Sequence, residues 1–482
     1  MLNSILLVLI CIGICLTHRG PNRKIYEREI KLLWPSTVVV VGIMLRIGIG
    51  GWLVWLFRDM QLKDEFRLYK ISVGYLDQKM LGWIILVSAS LTFYCIARYA
   101  ARRIGSRVCI KKGSMRSNEA KNRSGDLTSL LLMIGILACF GLINSVQGVV
   151  LGTHDRGHQY LSWIGEAWSR PDSWIQSVIK LKYLYFLLLP FVWKRCSKGL
   201  VAVLTLPAGI MCGLSLVAGA RGDALYPVTF MLLGLLMTGD VTWKRTAGIV
   251  FAGVLVVGLG APILEGIRDT KRFQDTELSN LKERVSGIAM NVEEITQKAK
   301  IRAPQIGRQL YACSDGYLFE KKTGETGWND MGHTVIRAFP PLRSLIKIIT
   351  GTGFDSAFDG ADIAQSAMGT DIRGWYPCVT LMGDSFRRSG YIGVWITGSV
   401  LGVIMFVIDA VWSILVSKVR PTLGAMVYGL LPVLYLQTFP LGTVSETLWW
   451  LSWDSLKYTL LCLVLVAGCE RLATIWNHVD SK

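Results

Sequence analysis

Arginine and aspartate recur together at four places in this chain, each beside or between runs of apolar residues. The first pair, Arg221 and Asp223, sits in "SLVAGARGDALYPV" (215–228). A second group, Asp384, Arg387 and Arg388, lies in "MGDSFRRSGYIGV" (382–394). Arg268 belongs to the third, "EGIRDTKR" (265–272). The fourth group is spread between 333 and 373: His333, Arg337, Arg343, Asp355, Asp359, Asp362, Asp371 and Arg373. Guanidinium groups bind phosphate oxygens through two parallel N–H bonds. They also stabilise the negative charge that develops on a leaving diphosphate. A carboxylate or imidazole among them can orient or deprotonate an attacking hydroxyl. Together these residues suit a ligand with a diphosphate head and an apolar tail. No zinc, P-loop, Rossmann or nucleophilic-hydrolase signature accompanies them. We therefore expect no metal and no cofactor.

The elements that must position these residues are long and apolar. The chain has 482 residues, 52% of them hydrophobic, and a mean hydropathy of +0.42, too apolar for an ordinary soluble protein. Apolar runs long enough to cross a hydrocarbon core about 30 Å thick fall near 2–17, 33–57, 81–100, 127–151, 181–193, 199–219, 223–239, 246–263, 389–416, 421–439 and 448–469. The expected fold is an all-α polytopic membrane protein of about 11 transmembrane helices, by the same length criterion. The first run has neither a basic leader region nor a small-residue cleavage site, so it reads as a span.

The net charge of +18 does not require nucleic acid. With the N-terminus outside, the short cytoplasmic segments hold 23 Lys+Arg against seven Asp+Glu. That asymmetry is the positive-inside signal, with a secondary attraction to anionic membrane lipid. The cluster at 98–123, "RYAARRIGSRVCIKKGSMRSNEAKNR", is its strongest marker. Residues 1–263 then form a bundle of about eight spans, 264–388 a large external loop, and 389–482 three further spans. The loop carries 17 basic and 16 acidic residues and is close to neutral. Leu278, Leu281, Val285, Ile288, Val292 and Ile295 recur at helical spacing, predicting an amphipathic helix over 277–300. A second helical stretch follows at 304–322, and the Gly-, Pro- and Asp-rich remainder reads as irregular. Cys313 and Cys378 share the loop, where oxidising conditions permit a disulfide.

This topology puts all four charged groups on one external face. The 199–239 hairpin has few residues to spare for its turn, so Arg221 falls at the headgroup level. A charge there must face protein or a wet cavity, or snorkel beside Asp223 as an interfacial anchor. Arg387 and Arg388 at a span end have the same two readings. Arg46 lies mid-span and should face the bundle interior, where a structural ion pair is the plainer role. Asp409, Asp454 and Lys457 are similar, and the last two are spaced to pair along a helix.

Two of these stretches resemble a known family. "LSLVAGARGDALYPVTFMLLGLL" is similar to the Gly-x-Arg-Gly hairpin of oligosaccharide repeat-unit polymerases (Wzy-type O-antigen and exopolysaccharide polymerases). "YPCVTLMGDSFRRSGYIGVWITGSVLGV" is similar to the stretch leading from their large external loop into a span, although "SFRRSG" departs from the usual residues there. The resemblance implies a metal-independent, lipid-carrier-dependent glycosyltransferase of the bacterial cytoplasmic (inner) membrane. Its substrates would be undecaprenyl-diphosphate-linked oligosaccharides, and its partners a chain-length regulator and a flippase of the same pathway. Arg221, Asp384, Arg387 and Arg388 would then be the catalytic set, with Arg268, His333, Arg337 and Asp223 contacting substrate. An O-antigen ligase and a lipid-linked oligosaccharide flippase are the alternatives.

Overall fold

A computed structural model of the chain describes residues 2–17, 35–49, 51–52, 75–105, 123–150, 181–193, 195–217, 221–237, 248, 293, 340–351, 379–418 and 443–479. Among these the regular structure is helical throughout, with no strand. Five segments are long and apolar enough to cross a membrane: Leu76–Ala101, Leu127–Val146, Lys198–Ser215, Leu381–Ala410 and Val444–Trp476. Lys182–Trp193 and Tyr226–Leu235 are shorter apolar helices. The spans expected at 421–439 and, apart from residue 248, at 246–263 lie outside the described residues. So do the expected helix at 304–322, the pair Cys313 and Cys378, and all of 277–300 except residue 293.

In chain order the helices are α1 (Leu2–Thr17), α2 (Pro35–Ile43), α3 (Leu76–Gly105), α4 (Arg123–Val150), α5 (Lys182–Trp193), α6 (Lys198–Val217), α7 (Arg221–Met237), α8 (Pro340–Thr350), α9 (Leu381–Lys418), α10 (Val444–Trp449) and α11 (Ser455–Val479). Two π-helical turns interrupt this order, Met44–Ile49 after α2 and Trp450–Asp454 between α10 and α11. Each coincides with a charge noted mid-span. Arg46 lies within the first. Asp454 ends the second and pairs with Lys457 at 2.8 Å, as the i,i+3 spacing predicts.

The apolar runs form helices because Leu, Ile, Val, Met and Ala dominate them and the backbone satisfies its own polar groups. Their outward faces are apolar as well. Val203 and Leu206 on α6, and Val464 and Leu472 on α11, are all more than half exposed. A helix apolar all round is at home in lipid rather than in water. The inward faces build one core that includes Leu7, Ile43, Trp83, Leu86, Met133, Tyr185, Phe230 and Cys462.

Among the described residues α3 packs most extensively against α9, and the two run parallel. Gly398 and Gly402 on α9 let the two backbones meet, since a Cβ on them would lie 2.5 Å from Leu86 O and 2.1 Å from Ser90 O. Small residues four apart are what close helix contact inside a membrane requires. Ser90 Oγ reinforces the contact by donating to Gly398 O at 2.9 Å. Near the end of α9, buried Asp409 accepts from the Ser36 backbone N–H at 3.2 Å, from Ser36 Oγ, and from Tyr94 Oη at 2.8 Å. This carboxylate ties α2, α3 and α9 together. Asp409 thus has hydroxyl and amide partners of structural kind.

Candidate functional site

The site lies at the opposite end of α9. Thr380 caps that helix, its Oγ1 accepting from Gly383 N–H at 3.1 Å. The sequence reading places 382–388 at the close of an external loop and starts the span at 389. The helix instead begins at Leu381 and reverses direction at Ser389–Gly390. Gly390 has φ 58 and ψ −145, a conformation open to glycine and costly for a side chain. The two helical turns before it fold back along the span. Ser385 Oγ donates to Thr397 Oγ1 at 2.9 Å, and a Cβ on Gly393 would lie 2.3 Å from Ser385 O. The short arm is buried from Val379 through Ser385. Met382 fits against α3, where a Cβ on Gly82 would come 2.5 Å from its sulfur.

Within this helical hairpin the charged trio meets. Asp384 is completely buried, and Arg387 and Arg388 are 8% and 3% exposed. Asp384 Oδ1 accepts from Arg387 Nη2 at 2.9 Å and from its Nε at 3.2 Å. Arg388 Nε lies 3.5 Å from Oδ2. Oδ2 also accepts the backbone N–H of Val444 at 3.0 Å. Val444 is the first residue of α10, which a reciprocal capping box starts. There Glu446 N–H donates to Thr443 Oγ1 at 3.2 Å and Thr443 N–H donates to Glu446 Oε2 at 2.8 Å.

Two helix N-termini, each a partial positive charge, therefore converge on a carboxylate that already carries two guanidiniums. The trio sums to one positive charge, which the Glu446 carboxylate at the head of α10 balances. The groups an anion could meet here are the two guanidiniums and the helix ends. A small apolar crevice of about 50 Å³ adjoins this point, lined by Leu381, Thr397, Leu401, Ile404, Val444 and Leu451. It runs from beside the carboxylate along α9 and α10 into the bundle.

Two buried cations escaped the sequence reading. Lys79, 2% exposed, shares the face of α3 that carries Gly82 and Leu86. Lys182, 6% exposed, opens α5, donates to Asn144 Oδ1 at 3.0 Å and lies 5.2 Å from the Tyr183 ring centre. The available signal is a single lysine at the head of an apolar run, "QKMLGW" and "LKYLYF". That pattern equally marks an ordinary membrane anchor.

Arg221 and Asp223 are the first and third residues of α7. The main packing partner of α7 is α5, through stacked Tyr183 and Phe230 and edge-on Tyr226. The structure thus brings Asp384, Arg387 and Arg388 together and puts Arg221 on another helix pair. Arg268, His333, Arg337, Asp355, Asp359, Asp362, Asp371 and Arg373 lie outside the described residues. Arg343 lies in α8, so the loop is not irregular there.

Fold and site together define a helical protein with helices of membrane-crossing length and a buried arginine–carboxylate cluster at one end of its bundle. Comparison of the chain with protein-family models, curated proteins and solved structures finds no match.

Proposed function

We propose that this protein joins undecaprenyl-diphosphate-linked oligosaccharide repeat units into a surface polysaccharide. It would act at the external face of a bacterial cytoplasmic membrane, through about 11 spans and with the N-terminus outside. One observation carries the reading: Arg387 and Arg388 are held side by side on buried Asp384, at two helix N-termini and beside an apolar crevice. Paired guanidiniums beside an apolar crevice suit the head of a lipid diphosphate. In the reaction, a sugar hydroxyl of the acceptor unit attacks the anomeric carbon of the donor. The bond from that carbon to the diphosphate breaks, and the diphosphate leaves with the lipid. Arg387 and Arg388 would offset the charge gained by the leaving group. Asp384, engaged on both oxygens, would act as a positioning residue, leaving proton removal to a loop group such as His333.

One feature favours the transporter alternative. Helix N-termini that meet at interrupted helices also hold anionic substrates in transporters, and the α10–π–α11 rod and the α9 hairpin are both interrupted. A gel of surface polysaccharide from a deletion strain separates the readings. Loss of long chains with retention of core plus one repeat supports polymerisation. Core without any repeat means a ligase, and loss of lipid-linked units from the outer leaflet means a flippase.

A further inference from the structure

The segment read as irregular contains a well-defined amphipathic helix. In α8, "PPLRSLIKIIT" begins with two prolines, whose missing N–H groups cost nothing at a helix start. It ends at Gly351, with φ 67 and its N–H bonded to Lys347 O at 3.0 Å. Leu342, Leu345, Ile346 and Ile349 recur at intervals of three and four, and Ile348 widens the stripe. Leu345 is 52% exposed, Ile349 73% and Ile348 80%, and none of the helix's described side chains is buried. Arg343, Ser344, Lys347 and Thr350 occupy the other side by helical spacing. The helix has two basic residues and no acidic one.

We propose that α8 lies flat on the bilayer that the bundle crosses, its isoleucine–leucine stripe in the acyl boundary and Arg343 and Lys347 on anionic headgroups. The chemistry is that of an interfacial helix, with an apolar stripe on one side and an exclusively basic polar face on the other. The five helices of membrane-crossing length put the chain at a bilayer, and the charge of α8 is complementary to anionic phospholipid. A second copy of the chain would need no such basic face. The proposal is independent of which reaction the protein catalyses.

The test places the photo-crosslinker p-benzoyl-phenylalanine at position 348 of the full chain. The protein is reconstituted in nanodiscs of phosphatidylcholine alone or mixed with phosphatidylglycerol, irradiated and analysed by mass spectrometry. Phospholipid adducts, enriched in the mixed discs, are expected. Adducts within the chain or to a second copy overturn the proposal, as does the absence of any adduct. Each basic residue near an anionic surface is worth about fivefold in partitioning. Arg343→Glu combined with Lys347→Glu should then cut the lipid adduct at least about fivefold in the mixed discs. An unchanged yield would refute the role given to anionic lipid. Position 348 is so exposed that the label leaves folding intact, which an unchanged elution profile checks.

Discussion

Asp384 and Val444, sixty residues apart, are joined by a 3.0 Å hydrogen bond from the backbone N–H of one to the carboxylate of the other. The bond links the folded-back arm of α9 to the start of α10, and it uses the oxygen nearest Arg388. One carboxylate thereby fixes two helices and two arginines. Asp384→Ala should remove the carboxylate that two buried guanidiniums share and the acceptor of Val444. Breaking a buried pair in this way costs roughly 3–5 kcal/mol. A large drop in the thermal midpoint of the purified protein in nanodiscs is expected. Asp384→Asn keeps an acceptor for Val444 but not the charge, and should fall between wild type and alanine. Equal midpoints for all three proteins would mean that the trio does not hold the hairpin.

The hairpin itself is testable at Ser385 and Thr397, whose side-chain oxygens meet at 2.9 Å. Disulfide formation needs side chains that face each other at this kind of range. Ser385→Cys with Thr397→Cys should therefore cross-link in good yield under mild oxidation, read as a mass loss of two hydrogens after digestion. A straight helix through 381–418 would put these positions twelve residues apart along one rod, about 18 Å at 1.5 Å per residue. No cross-link could form in that geometry.

Much of the bundle was legible because hydropathy reports what lipid demands. The run at 199–219 became α6, within two residues at either end, whereas that at 181–193 became α5, a helix of 12 residues that falls short of membrane-crossing length. The i,i+3 pairing of Asp454 with Lys457 was legible for the same kind of reason, since it needs only helical spacing. The reversal at Gly390 was not. "SGYIG" reads equally as glycines easing helix contact, and only the φ of 58 at one glycine turns the chain back. Lys79 and Lys182 were missed because a lysine at the head of a span resembles an anchor until its burial is seen. Helix α8 was missed because Pro-Pro and Gly, read as breakers, are its start and stop signals.

Gly402 presses against the Ser90 carbonyl so closely that a Cβ would stand 2.1 Å away. The obstacle is backbone, which cannot step aside. Gly402→Ala should force α3 and α9 apart at a cost of about 1–3 kcal/mol, the range for an overpacked core. The thermal midpoint should fall, whereas Gly468→Ala, at a position with open space around it, should leave it unchanged. If both variants melt like wild type, the close contact of α3 with α9 is wrong.

Buried Lys457 pairs with partly exposed Asp454 at 2.8 Å, with the Lys457 ammonium 5.5 Å from the Trp449 ring centre. Removing one partner leaves the other charged inside the bundle, whereas removing both leaves an apolar gap. Lys457→Met alone should destabilise by several kcal/mol. Lys457→Met with Asp454→Leu should recover most of that loss, read again as thermal midpoints. Should the double variant support normal chain length, the pair is structural. A stable double variant that makes no polymer would give the π-helical turn a part in the chemistry, as π turns often have.

Arg221 opens α7. Two purposes are open to it: an interfacial pair with Asp223, or an anionic ligand. The anchor reading predicts that Arg221→Lys, which keeps the charge, behaves like wild type. It also predicts that Arg221→Ala lowers the amount of protein in the membrane. The ligand reading predicts normal membrane levels for both variants. In that case Arg221→Ala should abolish long polysaccharide chains on a gel. Arg221→Lys should be nearly as damaging, because an ammonium cannot reproduce a two-point guanidinium–phosphate contact. Near-normal ladders from Arg221→Ala would remove this residue from the site and leave the anion to Arg387 and Arg388.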